Sequence, residues 1–154
     1  MGSLLRGGVQ PSSELVIYDS GHWNVGYSFD YWRNTSGDYN PATLQSDRIL
    51  FPSNSQKGSV IGTDLSINFT KYSMLYYVAK GLSTITSYYG VVWPTTVRGT
   101  ASSWNGIPSG KAQNVSSNSI VEYAIDISDL TGNYYVAATN NANMSMEVYK
   151  IYLV

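Results

Sequence analysis

Residues 120–139, IVEYAIDISDLTGNYYVAAT, decide the fold of this chain. In their first half, large apolar side chains that would face inward alternate with side chains that would face outward. The inward set is Val121, Tyr123, Ile125 and Ile127, and the outward set is Glu122, Ala124 and Asp126. This period of two residues is typical of a half-buried β-strand. The turn at 129–132, DLTG, separates it from a second β-rich run at 134–139. A strand, a turn and another strand, without a helical period, favour an all-β chain.

The same pattern of β-rich runs and turn clusters extends outward from this stretch in the N-terminal and C-terminal directions. Further strands are predicted over 15–18, 23–33, 48–51, 64–70, 72–80, 87–93 and 144–153, and the stretch 94–118 is predicted to be a long polar loop. No segment keeps a period of 3.6 residues for three turns. Eight or nine strands separated by turns indicate an antiparallel β-sandwich, and the long crossing loops favour a jelly-roll.

The length and composition fit one globular domain. A chain of 154 residues can bury enough surface for one hydrophobic core. Only 12% of its residues are charged and 14% are aromatic, which argues against a disordered chain. Residues 1–13 are rich in Gly, Ser and other polar residues, so we expect an N-terminal arm that anchors the chain, followed by a single jelly-roll domain over 14–154.

Composition also excludes several classes of function. The net charge is −1 and the nine Lys and Arg residues are scattered, so no basic surface for nucleic acid is expected. No apolar run is long enough to cross a membrane. Cysteine is absent and His22 is the single histidine, which is too few ligands for a zinc enzyme. Without a G-x-S-x-G elbow, a serine triad is not indicated either, and we expect a protein without catalytic activity or cofactor.

The last predicted strand, 144–153, is apolar on both faces if its side chains alternate regularly. Met146, Val148 and Tyr152 would share one face, and Tyr149, Ile151 and Leu153 the other. Because a solvated outer face should be polar, we expect something to cover it. The cover is either a loop or the N-terminal arm of the same chain, or a second subunit, which would make the protein a homo-oligomer.

Four segments carry a resemblance to a known group of modules. They are 15–21 (LVIYDSG), 67–76 (INFTKYSMLY), 126–136 (DISDLTGNYYV) and 146–153 (MEVYKIYL). Together they resemble the strands of galactose-binding-like jelly-roll modules found in phage tail, baseplate and other virion surface proteins. The resemblance implies a location on the virion surface and contacts with other virion proteins through the N-terminal arm. It implies no binding residue, because every matched position is structural.

Two loops have the composition of a carbohydrate site, which needs an aromatic platform beside polar groups that bind hydroxyls. The candidates in the first loop are Trp32, Arg33 and Asp38. Those in the second are Trp93, Arg98, Trp104 and Asn105. Trp32 belongs to the polar set of alternating residues in its predicted strand, so we expect it to point away from the core. The alternative is that these tryptophans only seal loops over the ends of the sandwich.

A structural Ca²⁺ ion is one metal that the sequence leaves open. It would need several oxygen ligands that converge. Asp19, Asp64 and Asp129 lie in or beside predicted turns and are the candidates.

The sequence therefore leaves three hypotheses for function. The first is a non-enzymatic phage virion surface protein, of the tail, the baseplate or a capsid decoration, that adheres to glycans or to the host surface. The second is a purely structural virion component without a ligand. The third is a carbohydrate-binding module from a larger secreted glycosidase. The second predicts that the tryptophans serve only packing, and the third predicts a monomer.

Overall fold

The computed structural model describes residues 14–32, 41–53, 58–82, 88–98, 106–141 and 143–154, with the backbone alone for 29–32 and 58. Its elements are almost all strands, with one 3-10 helix at Phe69–Lys71. The strands are β1 (Leu15–Asp19), β2 (His22–Trp23), β3 (Tyr27–Trp32), β4 (Thr43–Leu44), β5 (Ile49–Phe51), β6 (Gly58–Thr63), β7 (Ile67–Asn68), β8 (Met74–Gly81), β9 (Gly90–Thr95), β10 (Gln113–Val115), β11 (Val121–Asp126), β12 (Asn133–Asn140) and β13 (Met146–Leu153).

The described strands form two sheets, and every pairing is antiparallel. One sheet has the order β11-β8-β13-β1-β2, with β5 also pairing β13 and β4 pairing β5. The other has the order β10-β9-β12-β6-β3, with β7 pairing β12. We call them the seven-stranded and the six-stranded sheet. The predicted antiparallel β-sandwich is confirmed. No helix in the part of the chain described is long and apolar enough to span a membrane.

The hydrophobic core lies between the two sheets. Its largest fully buried side chains come from both of them and from the connections, among them Tyr18, Phe51, Ile61, Phe69 and Tyr77. The alternation predicted for β11 is observed, since Tyr123 and Ile125 are buried and Glu122, Ala124 and Asp126 are exposed. Each buried side chain of this size contributes about 1.5–3 kcal/mol relative to an exposed one.

The regular alternation predicted for the last strand is wrong, because β13 contains a β-bulge. The register with β8 shifts between Val148 and Lys150. The extra residue reverses the parity, so that Val148 and Ile151 both face the core and are at most 2% exposed. The outer face of β13 then carries Glu147, Lys150 and Tyr152. This face mixes charged and aromatic side chains, since Tyr149 also lies here and donates to Glu147 Oε1, and the covering second subunit stays a prediction.

Several other strand predictions differ from the structure. The predicted strand 64–70 is mostly bend and 3-10 helix, because the Asn68 side chain accepts a hydrogen bond from the Thr70 N–H and caps that helix. The predicted strand 23–33 is interrupted at Gly26, whose φ is +31°. Strands β6 and β10 were missed, since GSVIGT contains two glycines and QNV lies within the polar stretch predicted to be a loop.

Candidate functional site

The outer face of the six-stranded sheet carries the candidate site. Along β12, Val136 and Ala138 face the main core, so Tyr135, Ala137 and Thr139 lie on the outer face. A second, smaller apolar cluster covers the middle of this face and is formed by Val60, Val91, Trp93 and Ala137, with Ile107 packed against it. Each of its four buried members is at most 3% exposed. The middle of the face is therefore closed to solvent.

One end of the same face is less covered among the described residues, since Tyr135 is half-buried and Arg98 and Asp64 are exposed there. The Tyr135 backbone pairs with Thr95 of β9 on one side. On the other side, β12 pairs β6 as far as Ala137 opposite Gly62, and beyond that point Tyr134 pairs with Ile67 of β7, so the chain from Asp64 to Ser66 connects the two partners of β12. The Asp64 N–H in turn donates to the Gly26 carbonyl, over 3.1 Å. Tyr135 is half-buried, so its ring has both support from the sheet and access to solvent.

Arg98 closes this end of the face by bonding to Asp64. Its Nε donates to Asp64 Oδ1 over 2.9 Å, and its Nη2 donates to the same oxygen. The side chains stay accessible, 54% exposed for Arg98 and 41% for Asp64. These hydrogen bonds, and then the Asp64 charge, raise the pKa of Arg98, and the Tyr135 hydroxyl adds a small contribution in the same direction. The guanidinium, the carboxylate and the phenol thus lie within electrostatic range of one another.

The loop after β9 holds Arg98 in position through backbone contacts. The Val97 N–H donates to Thr95 Oγ1, and the Thr96 N–H donates to the Gly106 carbonyl, both over 3.0 Å. Gly106 has φ +68°, and a Cβ there would lie 2.4 Å from Thr96 Oγ1. Only glycine therefore fits, because it alone combines the positive φ with so close an approach.

Apolar side chains flank the Arg98–Asp64 pair in the sequence. Leu65 follows Asp64 and is 63% exposed, and Val97 precedes Arg98 and is 37% exposed. Exposed apolar groups beside a fixed pair of hydrogen-bonding side chains are a common feature of ligand-binding surfaces. This end of the face offers one aromatic ring, one cation, one anion and an apolar rim.

The structure places three of the seven predicted site residues on this sheet or beside it. Arg98 is exposed at the less covered end, as described. Trp93 is 3% exposed and lies within the outer cluster, where it packs against the other apolar side chains. Trp32 ends β3, where its backbone pairs with Gly58. Arg33, Asp38, Trp104 and Asn105 lie outside the described residues.

The described ends of the two predicted loops, at Trp32 and Arg98, lie at opposite ends of β6. Trp32 pairs with Gly58 at the start of β6, whereas Arg98 bonds Asp64 just beyond its end. Six residues of extended strand separate those two partners by about 20 Å. A single sugar residue could not touch both ends, and only an extended oligosaccharide could.

The three carboxylates proposed for Ca²⁺ have other partners and lie on different elements. Asp64 binds Arg98, and Asp129 accepts a 2.6 Å hydrogen bond from Lys111 Nζ. Asp19, at the end of β1, accepts from the Ser20 hydroxyl over 2.8 Å. Within the ranges described, no group of three or more His, Asp or Glu side chains could hold a metal ion.

Sequence reasoning missed Tyr135 as a site residue and found Asp64 only as a metal candidate. The strand 134–139 was predicted, but the DLTG turn does not show which of the adjacent Tyr134 and Tyr135 faces outward. Asp64 and Arg98 are 34 residues apart in the sequence, and only the pairing of β6 and β9 on either side of β12 brings them together. Alternate residues of a strand point to opposite faces, so an inward Val136 implies an outward Tyr135. This alternation is the one sequence signal that would have pointed to Tyr135.

No protein-family model matches this sequence, and neither does any curated protein. Several solved structures share its fold. Variants of the family 29 carbohydrate-binding module CBM29-2, one of them complexed with mannohexaose, superpose with TM-scores of 0.58 and 0.56 at 12% and 13% identity. The superpositions cover 93% and 94% of this chain and 92% of those chains.

Two further modules are similar over nearly the whole chain. CBM29_1 from Piromyces equi has a TM-score of 0.53 at 18% identity, covering 92% of this chain and 89% of that chain. The family 11 module of the cellulosomal cellulase Lic26A-Cel5E of Clostridium thermocellum has a TM-score of 0.54 at 10% identity, covering 94% of this chain and 96% of that chain. At these identities the likeness establishes the fold, a jelly-roll β-sandwich shared with carbohydrate-binding modules.

Proposed function

We propose that this chain is a non-catalytic carbohydrate-binding module that binds a neutral glycan at the less covered end of its six-stranded sheet. The observation that carries the proposal is the group formed by Tyr135, Arg98 and Asp64. It combines an accessible aromatic ring with a donor and an acceptor held in fixed positions. The shared fold with carbohydrate-binding modules supports the same assignment.

The three side chains would divide the work of binding a sugar. The ring of Tyr135 would pack against the apolar C–H face of a pyranose, a contact for which aromatic side chains are well suited. Arg98 has N–H groups beyond those used on Asp64, and they would donate to sugar oxygens. Asp64 Oδ2 would accept from sugar hydroxyls. Because the pair is already formed without ligand, little side-chain entropy would be lost on binding.

The neighbours favour the third of the sequence hypotheses over the first. The solved structures named above are carbohydrate-binding modules, and none is described as a virion protein. The virion location and the contacts through the N-terminal arm remain predictions from the sequence resemblance, and the homo-oligomer remains a prediction from the pattern of the last strand. A glycan site of this kind is compatible with either setting, since multivalent display can raise avidity by about 10²–10⁴.

Calorimetric titration with neutral oligosaccharides tests the proposal. Mannohexaose, xylohexaose and cellohexaose would be titrated into the wild-type chain and into Arg98→Ala. We expect saturable binding of at least one of them and a loss of affinity of about tenfold or more in Arg98→Ala. Asp129→Asn is the matched control, because it removes another exposed ion pair outside the site and should bind like wild type.

A chain that binds none of the three oligosaccharides, or that binds equally well after Arg98→Ala, would overturn the proposal. Equal losses in Arg98→Ala and Asp129→Asn would do the same, since they would show a general effect of removing an ion pair.

A further inference from the structure

A second aromatic group lies on the opposite side of the sandwich, on the outer face of the seven-stranded sheet. Tyr152 of β13 and Tyr76 of β8 pair in register, and their rings stack with centroids 5.1 Å apart and planes 20° from parallel. This spacing is close to the separation of about 4.8 Å between neighbouring strands. The rings therefore stand upright on the sheet, one behind the other.

The two faces of Tyr152 are occupied. Tyr76 covers one of them, and Lys150 places its Nζ 4.5 Å from the ring centroid, a cation–π contact. The Tyr152 hydroxyl donates to Glu122 Oε2 over 2.6 Å. Tyr152 is thus held in a fixed orientation and offers no ring face to a ligand.

Among the described residues, no other ring or cation stacks on the second face of Tyr76, so the stack ends there. The next position across the sheet is Ala124 of β11, which pairs directly with Tyr76. Ala124 is exposed and carries only a methyl group, so the space beside the second face of Tyr76 is open. β11 is the edge strand of the sheet, and the space therefore opens sideways to solvent as well. We call the gap between Tyr76 and Ala124 the Tyr76 slot.

Carboxylates flank the slot on both sides. Glu122 and Asp126 share the outer face with Ala124 and lie two residues before and after it, about 7 Å away along the strand. Among the described residues, nothing donates a hydrogen bond to Glu122 Oε1, because the Tyr152 hydroxyl uses only Oε2. On Asp126, both bonds from Ser128 go to Oδ1, which leaves Oδ2 as an acceptor.

We propose that the Tyr76 slot is a second glycan-binding site, in which one neutral pyranose ring stacks on Tyr76 and donates hydroxyl hydrogen bonds to Glu122 and Asp126. The chemistry selects this occupant. A flat aromatic face suits the C–H face of a sugar, and two carboxylates suit ligands rich in hydroxyl donors and disfavour anions. The slot is one strand wide, which admits a single ring and not a helix or a sheet of another protein.

The site is separate from the proposed site at Tyr135, since the two lie on the outer faces of different sheets. It would allow the module to cross-link two glycan chains or two segments of one chain. We expect it to bind more weakly, because one of its acceptors is already engaged by Tyr152.

A variant that fills the slot provides the test. Ala124→Tyr continues the stack by one ring, so it should fold at least as well as wild type while blocking the free face of Tyr76. Titration with mannohexaose, xylohexaose and cellohexaose would be made in the Arg98→Ala chain with and without Ala124→Tyr. Tyr76→Ala would be compared with Val78→Ala, a half-buried neighbour on the same face.

We expect Arg98→Ala to retain weak binding, and Ala124→Tyr and Tyr76→Ala each to lower it about tenfold or more, with Val78→Ala unchanged. Absence of residual binding in Arg98→Ala, or residual binding that Ala124→Tyr leaves unchanged, would overturn the proposal. So would self-association of the chain that is lost in Tyr76→Ala, because the slot would then serve a protein interface. If Arg98→Ala leaves the affinity for the oligosaccharide unchanged while Ala124→Tyr lowers it, the Tyr135 site is rejected and the Tyr76 slot is kept.

Discussion

Arg98 reaches from the loop after β9 to Asp64 at the end of β6, and β12 lies between those two strands. The ion pair therefore bridges the end of β12 near Tyr135, whose phenol contributes to the raised pKa of Arg98. An exposed ion pair contributes little to stability, with a typical range of about 0–1 kcal/mol. Its value here is geometric, because it keeps a donor and an acceptor beside an accessible ring.

Replacing Asp64 should separate binding from stability. Asp64→Asn keeps the size of the side chain but removes the charge to which Arg98 is bonded. We expect the free energy of unfolding to change by no more than about 1 kcal/mol, because both side chains are exposed. The affinity for a bound oligosaccharide should fall. Urea denaturation and calorimetric titration of the same sample measure both, and a large loss of stability with unchanged affinity would contradict the assignment.

Two glycines with similar backbone angles should respond differently to substitution. Gly106 and Gly110 have φ of +68° and +73°, so alanine at either one costs about 1–2 kcal/mol in backbone strain. A Cβ at Gly106 would also lie 2.4 Å from Thr96 Oγ1, whereas a Cβ at Gly110 meets nothing within 4 Å. Gly106→Ala should therefore be the more destabilising, and it alone should weaken oligosaccharide binding through Arg98. Equal losses of stability and affinity in the two variants would show that the contact with Thr96 is not needed.

The β-bulge in β13 makes a prediction about Ile151. With the shifted register, Ile151 is 2% exposed and belongs to the main core. Ile151→Ala should therefore lower the free energy of unfolding by about 2–5 kcal/mol, the range for a buried aliphatic side chain. Lys150→Ala, one residue earlier and half-buried on the outer face, is the control and should cost much less. Similar losses in the two variants would contradict the position of the bulge.

The hydrogen bond from Tyr152 to Glu122 should make stability depend on alkaline pH. It is the largest contribution that raises the pKa of Tyr152, from 10.0 to about 12. A pKa raised on folding adds stability that is fully present below pH 10 and is lost as the pH rises through 12. The difference in unfolding free energy between wild type and Tyr152→Phe should therefore shrink between pH 9 and pH 12. A difference that stays constant over that interval would show that the phenol is not stabilised by Glu122.

Local patterns predicted much of this fold. The alternation along β11 and the DLTG turn placed one edge strand of the seven-stranded sheet and the turn after it, and residues 120–127 show the predicted burial. The sequence did not reveal the bulge at Val148–Lys150. Both alternating sets of side chains along β13 contain large apolar residues, so either set could have been expected to face the core. The sequence did not reveal β6 either, since GSVIGT offers only two large apolar side chains.

The candidate site was less predictable, because its residues meet only through long-range pairing. Arg98 was selected as a polar residue near Trp93, yet its partner is Asp64, and their shared neighbour Tyr135 lies a further 37 residues along the chain. Local composition identifies residue types suited to sugar binding but does not give their mutual distances. Trp93 shows the same limit, since this tryptophan was chosen because a polar loop follows it, yet it is buried in the outer cluster.

The most direct measurement is a backbone amide NMR titration with the oligosaccharide that binds, comparing wild type with Tyr135→Ala. We expect the largest saturable shifts in wild type to include Tyr135, Asp64 and Arg98, and Tyr135→Ala to abolish the shifts at Asp64 and Arg98 while the chain stays folded. Shifts confined to other surfaces, or shifts at Asp64 and Arg98 that persist in Tyr135→Ala, would contradict the claim that this end of the six-stranded sheet binds the glycan.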